Sequence, residues 1–157
     1  YSIGGLGIGE SKEETYKIAE FTASYLPYDK PRYLMGLGMP EDIVEAVSMG
    51  IDLFDCVLPT RNARNGSLFT NRGKVVIKNA TYEKDDTPVD ESCGCYTCTR
   101  FSKAYLRHLY QAGEILASRL LTLHNLYYYG WLMKKIREAI ENGEFSSFRS
   151  RFYSKEV

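Results

Sequence analysis

The chain has 157 residues, of which 44% are hydrophobic and 25% are charged, and its formal net charge at pH 7 is zero. This length predicts one compact domain, or one domain with a small metal-held lobe. A neutral chain lacks the overall basic surface of a general nucleic-acid binder, so any contact with nucleic acid must come from a local cluster.

The first third of the chain alternates between strand and helix patterns. Residues 1–4 read as a short strand that runs into a glycine-rich turn over residues 4–9. Ser11 and Glu14 have the spacing of a capping box, which predicts a helix over residues 11–25. The residues expected on the inner face of this helix are Ile18, Phe21, Thr22 and Tyr25.

Two more strands and one more helix follow, with short connections. Residues 32–35 read as a strand that stops at Gly36, and Pro40 suits the first turn of a helix that ends at Gly50. Residues 51–57 are nearly all apolar, as in a strand that is buried on both faces. This order predicts a parallel α/β sheet, in which ligands bind at the carboxyl ends of the strands.

Asp55 places a carboxylate within the third of these apolar stretches. A buried charge costs on the order of several kcal/mol unless it is paired, so its presence needs a reason. It is either a structural acid that accepts hydrogen bonds from a neighbouring loop, or a nucleophile or base at the end of a strand. Asp52 is the competing acid, but strand alternation places it on the opposite face.

The polar segment after Pro59 runs from Thr60 to Gly66 and includes Arg61 and Arg64. Arginine and amide side chains can hold phosphates and read base edges, although a charged run is more often a solvated loop. Asn65–Gly66 is a hairpin signal, and it predicts that residues 67–70 and 74–78 pair as antiparallel strands.

Three of the four cysteines stand close together at Cys93, Cys95 and Cys98. Three thiolates at this spacing suit a zinc ion, which needs a fourth ligand. His108 lies inside a predicted helix, whereas His124 lies where another helix is predicted to begin, so His124 is the better candidate. The pattern predicts one structural Zn²⁺ in a closed site with four protein ligands.

Two other interpretations of the cysteines remain open, a disulfide and a redox pair of Cys95 and Cys98. Zinc is the interpretation that gives all three cysteines a role. The sequence shows no signal peptide and no apolar run long enough to span a membrane, so we predict a cytoplasmic protein. The chain also opens on Tyr1 in a strand pattern and not on Met, so we expect a fragment of a longer protein.

The last third of the chain is predicted to be helical. One helix is expected over residues 102–119, with Tyr105, Leu106, Leu109 and Ile115 inward. A second is expected over residues 124–142, with Leu126, Trp131, Leu132 and Ile136 as its apolar positions. A short final helix is expected from Phe145, Phe148 and Phe152. Three consecutive tyrosines, Tyr127 to Tyr129, cannot all face the core of one helix.

Several blocks of the chain together resemble bacterial tRNA-guanine transglycosylases, also called queuine tRNA-ribosyltransferases. They are Gly4–Glu10, Pro31–Gly36, Gly50–Gly66 and the cysteine run with His124. The resemblance covers essentially the whole chain, and the part from Phe54 to Gly66 with the cysteine spacing is highly specific.

The resemblance implies an α/β fold, the C-terminal portion of a (β/α)8 TIM barrel with an inserted zinc-binding subdomain. Residues 1–65 would be the last three β/α units, residues 66–124 the zinc-binding subdomain, and residues 125–157 the C-terminal helices that pack on the barrel.

The resemblance also implies an activity, in which wobble guanine in a tRNA anticodon is replaced by a 7-deazaguanine, queuine or its precursor, through a covalent aspartyl–ribose intermediate. Asp55 matches the family's nucleophile. The positions that match the base pocket are Gly5, Leu6, Met35 and Gly36. The positions that match tRNA contacts are Gly36, Leu37, Gly38, Met39, Pro40, Glu41, Asp42, Thr60, Arg61, Asn62, Ala63 and Arg64. The positions that match the zinc ligands are Cys93, Cys95, Cys98 and His124.

The expected partners are the tRNA anticodon loop, the deazaguanine base and, in the full-length enzyme, a second copy in a homodimer. The family's second catalytic aspartate belongs to the N-terminal part, so we expect this chain to be inactive by itself. The alternatives are a non-catalytic RNA-binding or partner subunit of the same lineage, and a free-standing zinc module.

Overall fold

The computed structural model describes residues 1–156. Contacts divide the chain into two compact units, residues 1–58 and a second unit that begins at Pro59. The fold is mixed α/β, with the sheets and helices of each unit given below. The three-part division into barrel units, zinc subdomain and C-terminal helices stays a prediction.

The first unit is built on a three-stranded parallel sheet in the order β1–β2–β3. The strands are β1 (Ser2–Ile3), β2 (Tyr33–Met35) and β3 (Leu53–Asp55). Helix α1 (Lys12–Tyr25) connects the first two strands and helix α2 (Pro40–Ser48) connects the last two. This confirms the predicted alternation of strands and helices in the first third of the chain.

Helix α1 begins as predicted but buries a different face. Ser11 and Glu14 form the complete capping box. The buried positions are Thr15, Ala19 and Ala23, which recur every four residues. Their small side chains let the helix backbone approach its neighbours closely, so the larger apolar residues point away. The predicted inner face was wrong for three of its members, and the exposed ones are Ile18, Phe21 and Tyr25.

The third strand is less buried than its composition predicts. Ile51 is buried, but Leu53 and Val57 are exposed. The prediction that both faces of residues 51–57 are covered is therefore wrong for the first unit as described. One apolar core cluster of this unit consists of Ile3, Ala19, Ala23, Leu34, Ala46 and Ile51, and Ile43 and Val44 of α2 are also buried.

The second unit contains one hairpin, five α-helices and a short 3-10 helix (Ala80–Tyr82) within its described residues. The elements in chain order are α3 (Leu58–Arg64), β4 (Ser67–Thr70), β5 (Gly73–Val76), α4 (Tyr96–Arg100), α5 (Lys103–Gln111), α6 (Ile115–Glu141) and α7 (Phe145–Ser154). Strands β4 and β5 pair antiparallel, as predicted.

The hairpin turn lies at Asn71–Arg72 and not at Asn65–Gly66, which was the signal singled out in the sequence. Gly66 instead ends helix α3, with φ +74°. A β-carbon there would lie 2.9 Å from the Tyr110 ring, so glycine is required for both conformation and space. The segment after Pro59 is consequently a helix, where the sequence suggested a loop.

The two long helices divide at a different place from the one predicted. The chain breaks at Gly113, which has φ +73°, and α6 then continues through residue 124 without interruption. His124 is therefore in the middle of a helix and not at its start. Ile115 is 78% exposed and was wrongly expected in the core, as was Tyr105, which is also exposed. Leu126, named as an apolar position of the second of these helices, is exposed as well.

Other core positions in this part of the chain are confirmed. Leu106, Leu109, Leu132 and Ile136 are buried, and Phe148 is the buried residue of α7. Tyr128 is buried while Tyr127 is exposed, as expected for consecutive residues of one helix. Among the helices of residues 1–156, none combines the length and the apolarity that crossing a bilayer would require.

Candidate active site and metal centre

Asp55 lies at the carboxyl end of β3, and two groups from the neighbouring strand hold one of its oxygens. The Tyr33 hydroxyl donates to Asp55 Oδ1 at 2.6 Å, and the Gly36 N–H donates to the same atom at 3.1 Å. Gly36 has φ +79°, a conformation that turns its N–H toward β3 and that other residues rarely adopt. No hydrogen bond reaches Asp55 Oδ2 within residues 1–58, so that oxygen is free to react.

These contacts keep the Asp55 carboxylate ionised. The hydrogen bond from Tyr33, followed by that from Gly36, lowers the pKa of Asp55 below its usual value. The same bond to Asp55 raises the pKa of Tyr33, which therefore remains a donor. An ionised carboxylate with one oxygen fixed and the other free has the form of a nucleophile rather than of a general acid.

The sequence argument for Asp55 relied on burial, and that premise is wrong, because Asp55 is exposed. The competing acid, Asp52, has a structural partner, and its place on the opposite face of the strand stays a prediction. Asp52 Oδ2 accepts the Arg32 N–H at 2.8 Å, which gives Asp52 a role in holding the start of β2. The geometry thus separates a structural acid, Asp52, from an exposed acid with a free oxygen, Asp55.

The glycine-rich turn over residues 4–9 is wrapped around one carboxylate. Glu10 accepts hydrogen bonds from the main-chain N–H groups of Gly7 and Ile8 and from the Thr15 hydroxyl. The Gly7 N–H bond is the largest of the effects that lower the pKa of Glu10 to about 2. This turn contains two residues of the predicted base pocket, Gly5 and Leu6.

The turn is close to Met35, a third predicted pocket residue, and to Leu37. A β-carbon on Gly4 would lie 3.2 Å from the Met35 sulfur, and one on Gly7 would lie 3.8 Å from Leu37. Met35 also pairs in register with Asp55. The predicted pocket segments and the candidate nucleophile are therefore at the same edge of the sheet.

The segment from Gly36 to Asp42 is held in place at Gly38 and at Asp42. Gly38 packs directly on Cys56, the residue after the candidate nucleophile, and burial raises the pKa of the Cys56 thiol. Asp42 is buried, and its Oδ1 accepts from Lys12 Nζ at 2.7 Å and from the Tyr16 hydroxyl at 2.6 Å. An RNA contact by this segment would therefore not use the Asp42 carboxylate, which is directed toward α1.

Helix α3 contains the second predicted RNA segment, Thr60 to Arg64. Pro59 and Ala63 are buried, while Arg61 and Arg64 are exposed in the last turn. Neither guanidinium group makes a hydrogen bond or an ion pair within the described residues of the second unit. Two unpaired guanidinium groups on one exposed helix are available to phosphates.

The three clustered cysteines and His124 form one group, as predicted. Their ligand atoms all lie within 4.8 Å of one another. The distances from His124 Nδ1 to the sulfur atoms of Cys93, Cys95 and Cys98 are 3.8, 3.6 and 3.3 Å. In a zinc tetrahedron the same sulfur–nitrogen distance is about 3.6 Å, from bond lengths of about 2.3 and 2.05 Å. The arrangement therefore fits a tetrahedral ion.

Two further features suit a metal ligand set. His124 Nε2 donates to the Phe69 carbonyl at 2.8 Å, which fixes the ring and leaves Nδ1 to face the sulfurs. The close sulfur atoms also interact with one another: hydrogen bonds from Cys93 and Cys98 lower the pKa of Cys95, and those with Cys93 and Cys95 raise the pKa of Cys98. None of the four cysteines forms a disulfide, so the disulfide interpretation is wrong for this structure.

The sequence analysis missed three residues that hold these sites together: Tyr33, Glu10 and Asn125. Tyr33 could have been found from the register, because it lies two residues before Met35 on the same strand face. Glu10 accepts from two main-chain N–H groups and the Thr15 hydroxyl, and the Asn125 side chain bonds to main-chain groups of Pro59, Ser67 and Phe69. No spacing in the sequence reveals such main-chain partners.

Comparisons with known proteins agree with this geometry. A family model described as queuine tRNA-ribosyltransferase matches residues 1–157. The queuine tRNA-ribosyltransferase of Caldanaerobacter subterraneus subsp. tengcongensis is 57% identical over 155 residues, which are 99% of this chain and 41% of that protein.

Two other relatives with the same name show similar figures. The protein of Actinobacillus pleuropneumoniae serotype 5b is 59% identical over 99% of this chain and 41% of its own length. The protein of Methylobacillus flagellatus is 58% identical over 97% of this chain and 41% of its own length. The chain thus spans about two fifths of the length of the curated relatives it matches.

Proposed function

This chain belongs to the queuine tRNA-ribosyltransferase family, and on that premise we propose that it supplies the nucleophile, part of the base pocket and the RNA-contacting segments of an enzyme that exchanges a tRNA base. The observation that supports this most directly is Asp55, an exposed carboxylate with Oδ1 held by Tyr33 and Gly36 and with Oδ2 free. The fold proposed for the whole protein is a TIM barrel, of which β1–α1, β2–α2 and β3 are consecutive units.

In the proposed reaction, Asp55 Oδ2 attacks C1′ of the wobble nucleotide as the bond from C1′ to guanine N9 breaks. The electron pair of that bond leaves with guanine, which takes up a proton, and an aspartyl–ribose ester remains. A 7-deazaguanine that has lost a proton then attacks C1′ and displaces the carboxylate, so that the enzyme is regenerated. The proton donor and acceptor would come from the part of the relatives that this chain does not match.

The RNA partner suits the local charges. A nucleobase must leave its stack to reach a carboxylate at the end of a strand, and its flanking phosphates then need cationic contacts. The unpaired Arg61 and Arg64 on α3 are suitable groups, and the main chain around Gly36 to Pro40 is proposed as the second contact. Recognition of bases in a single-stranded loop does not require a strongly basic protein, so it is compatible with the zero net charge of this chain.

We propose zinc as the ion of the Cys3His group, because three thiolates and one imidazole in a tetrahedron are typical zinc ligands. With four protein ligands there is no position for water, so the ion would stabilise the fold of the second unit and would not take part in the chemistry. An enzyme with reduced thiolate ligands and a tRNA substrate is expected in the cytoplasm.

Self-association is the remaining proposal about partners, and we expect the full-length enzyme to be a homodimer. A row of aromatic rings on α4 and α5 supports it, in which Tyr96 contacts Phe101 and Phe101 stacks on Tyr105 at 5.4 Å between centroids. Tyr96 and Tyr105 are both exposed. Exposed tyrosine of this kind is enriched at subunit interfaces.

The test of the nucleophile uses a chimera in which this chain replaces the matching stretch of the Caldanaerobacter relative. An anticodon stem–loop RNA is added, and covalent protein–RNA adduct is measured on a denaturing gel. The Asp55→Asn chimera should give no adduct and no exchange of labelled guanine.

Asp52→Asn is the matched control, because it alters a second acid close to Asp55 in the sequence, and the new amide oxygen can still accept the Arg32 N–H. It should retain the adduct. An adduct that persists in Asp55→Asn would show that another residue is the nucleophile. This chain alone should show no exchange of guanine. Measurable exchange would contradict the proposal that the reaction needs a proton donor and acceptor from the part of the relatives that this chain does not match.

A further inference from the structure

Asn125 is a fully buried polar residue of α6 that directly follows the metal ligand His124. Its side chain makes three hydrogen bonds, and all of them go to main-chain groups. Oδ1 accepts the Phe69 N–H at 3.1 Å, and Nδ2 donates to the carbonyls of Pro59 at 2.9 Å and Ser67 at 3.0 Å. Both amide donors are used, so this side chain has no remaining donor for any other partner.

These bonds hold both ends of one segment. Pro59 lies in the first turn of α3, and Ser67 is the first residue of β4. Between them lie Arg61 and Arg64, the exposed cations of the proposed RNA contact. One buried amide therefore fixes the beginning and the end of the segment from which both arginines project.

The metal ligand next to Asn125 binds the same strand. His124 Nε2 donates to the Phe69 carbonyl, while Asn125 accepts the Phe69 N–H. Two consecutive residues of α6 thus satisfy both main-chain groups of one β4 residue. The ion would fix His124, and through α6 it would fix Asn125 against Pro59.

We propose that Asn125 is a positioning residue for RNA recognition. When a bound metal ion orders α6, the hydrogen bonds of Asn125 hold helix α3 in place, and Asn125 itself does not touch RNA. The RNA part of this inference rests on the proposed function, whereas the effect on α3 does not. The reason is the high cost of leaving buried carbonyl and N–H groups without partners, which makes α3 depend on this one side chain.

The test compares two variants of this chain loaded with zinc. Asn125→Leu keeps the side-chain size and removes all three hydrogen bonds. Thr97→Val is the matched control, because Thr97 is equally buried and its hydroxyl donates to α6 at the Leu120 carbonyl at 2.7 Å, but not to α3. Zinc content, amide hydrogen exchange of residues 58–66 and affinity for an anticodon stem–loop RNA are measured for each.

We expect Asn125→Leu to retain zinc, to exchange amide hydrogens in residues 58–66 at least about tenfold faster, and to bind RNA at least about fivefold more weakly. Thr97→Val should stay within about twofold of the original protein in both measurements. An additional Arg61→Ala substitution should weaken RNA binding less in Asn125→Leu than in the original protein, because Arg61 is no longer held in place. If Asn125 only stabilised the fold, Arg61→Ala would weaken RNA binding by the same factor in Asn125→Leu as in the original protein.

Four results would overturn the inference: unchanged exchange in residues 58–66, an equal change in Thr97→Val, faster exchange with unaltered RNA affinity, or an unchanged effect of Arg61→Ala. If Asn125→Leu loses zinc, Asn125→Ala is used, since its smaller side chain leaves room for water beside the carbonyls. Loss of zinc in both variants also overturns the inference, because Asn125 would then act on the metal site. Failure of the original protein to bind RNA would refute the proposed function, and the exchange measurement would still decide the effect on α3.

Discussion

Substituting Gly38 by alanine tests whether the segment after β2 packs directly on the strand that ends at Asp55. A β-carbon at Gly38 would overlap the Cys56 sulfur and lie 2.7 Å from its β-carbon. Carbon atoms pack at about 3.5–4.0 Å, so the segment or Cys56 must move by roughly 1 Å. Gly38 does not have a positive φ, so the backbone itself accepts alanine and the clash alone is measured.

Overpacking of this kind costs about 1–3 kcal/mol. In a unit of 58 residues, each kcal/mol lowers the midpoint of thermal unfolding by about 4–8 °C. We therefore expect Gly38→Ala to lower the midpoint of the first unit by at least about 4 °C. Hydrogen exchange at the amides of β2 and β3, measured as a function of temperature, reports on this unit separately. The same shift would draw the Gly36 N–H away from Asp55, so the chimera should also lose activity.

Two further variants make this reasoning refutable. Cys56→Gly combined with Gly38→Ala removes both clashing atoms and should recover part of the lost stability. Gly130→Ala is the matched control, because a β-carbon there has open space in α6 and alanine favours a helix. If Gly38→Ala is as stable as the original protein, or if Cys56→Gly restores nothing, the packing described here is incorrect.

Three other predictions concern the two sites. Removal of the proposed zinc ion by a chelator should unfold the second unit, because its hairpin, α4 and α6 meet at the group of Cys93, Cys95, Cys98 and His124. It should affect the parallel sheet of the first unit less, and an equal loss of protection in both units, measured by hydrogen exchange, would contradict this. Tyr33→Phe should raise the pKa of Asp55, because it removes the hydrogen bond that lowers this pKa most. The acid side of the chimera's pH–rate profile should therefore move to higher pH. An unmoved profile would exclude this role for Tyr33. Glu10→Gln should loosen residues 4–9, measured by their hydrogen exchange. Because folding lowers the pKa of Glu10 from 4.5 to about 2, the contribution of its charge is complete above pH 4.5 and is lost as the pH falls toward about 2. The two proteins should therefore differ most above pH 4.5, and a difference that grows as the pH falls would be contrary to this reasoning.

The elements that local chemistry specifies could be predicted from the sequence. The capping box at Ser11 and Glu14, the alternation of strands and helices, and the metal group with its ligands all follow from spacing within a few residues or from the chemistry of side chains. Helix faces were less predictable. For α1, a stripe of small residues competes with a stripe of large apolar ones, and the neighbouring elements decide which is buried.

By itself, the sequence determined the order of the elements in the first unit, the group of three cysteines and one histidine that could hold a metal ion, and the resemblance that the family match confirms. Only the tertiary structure decided which groups form hydrogen bonds with Asp55, Glu10 and Asn125. The partners of Asp55 and Asn125 are main-chain groups or a side chain on another strand, brought close by the register of β2 with β3 and by the packing of α6 on β4. Glu10 is held by the conformation of the turn itself, through the N–H groups of Gly7 and Ile8, and by the Thr15 hydroxyl. Every residue offers the same main-chain groups, so no pattern of side chains marks the ones that a fold will bring to a carboxylate or an amide.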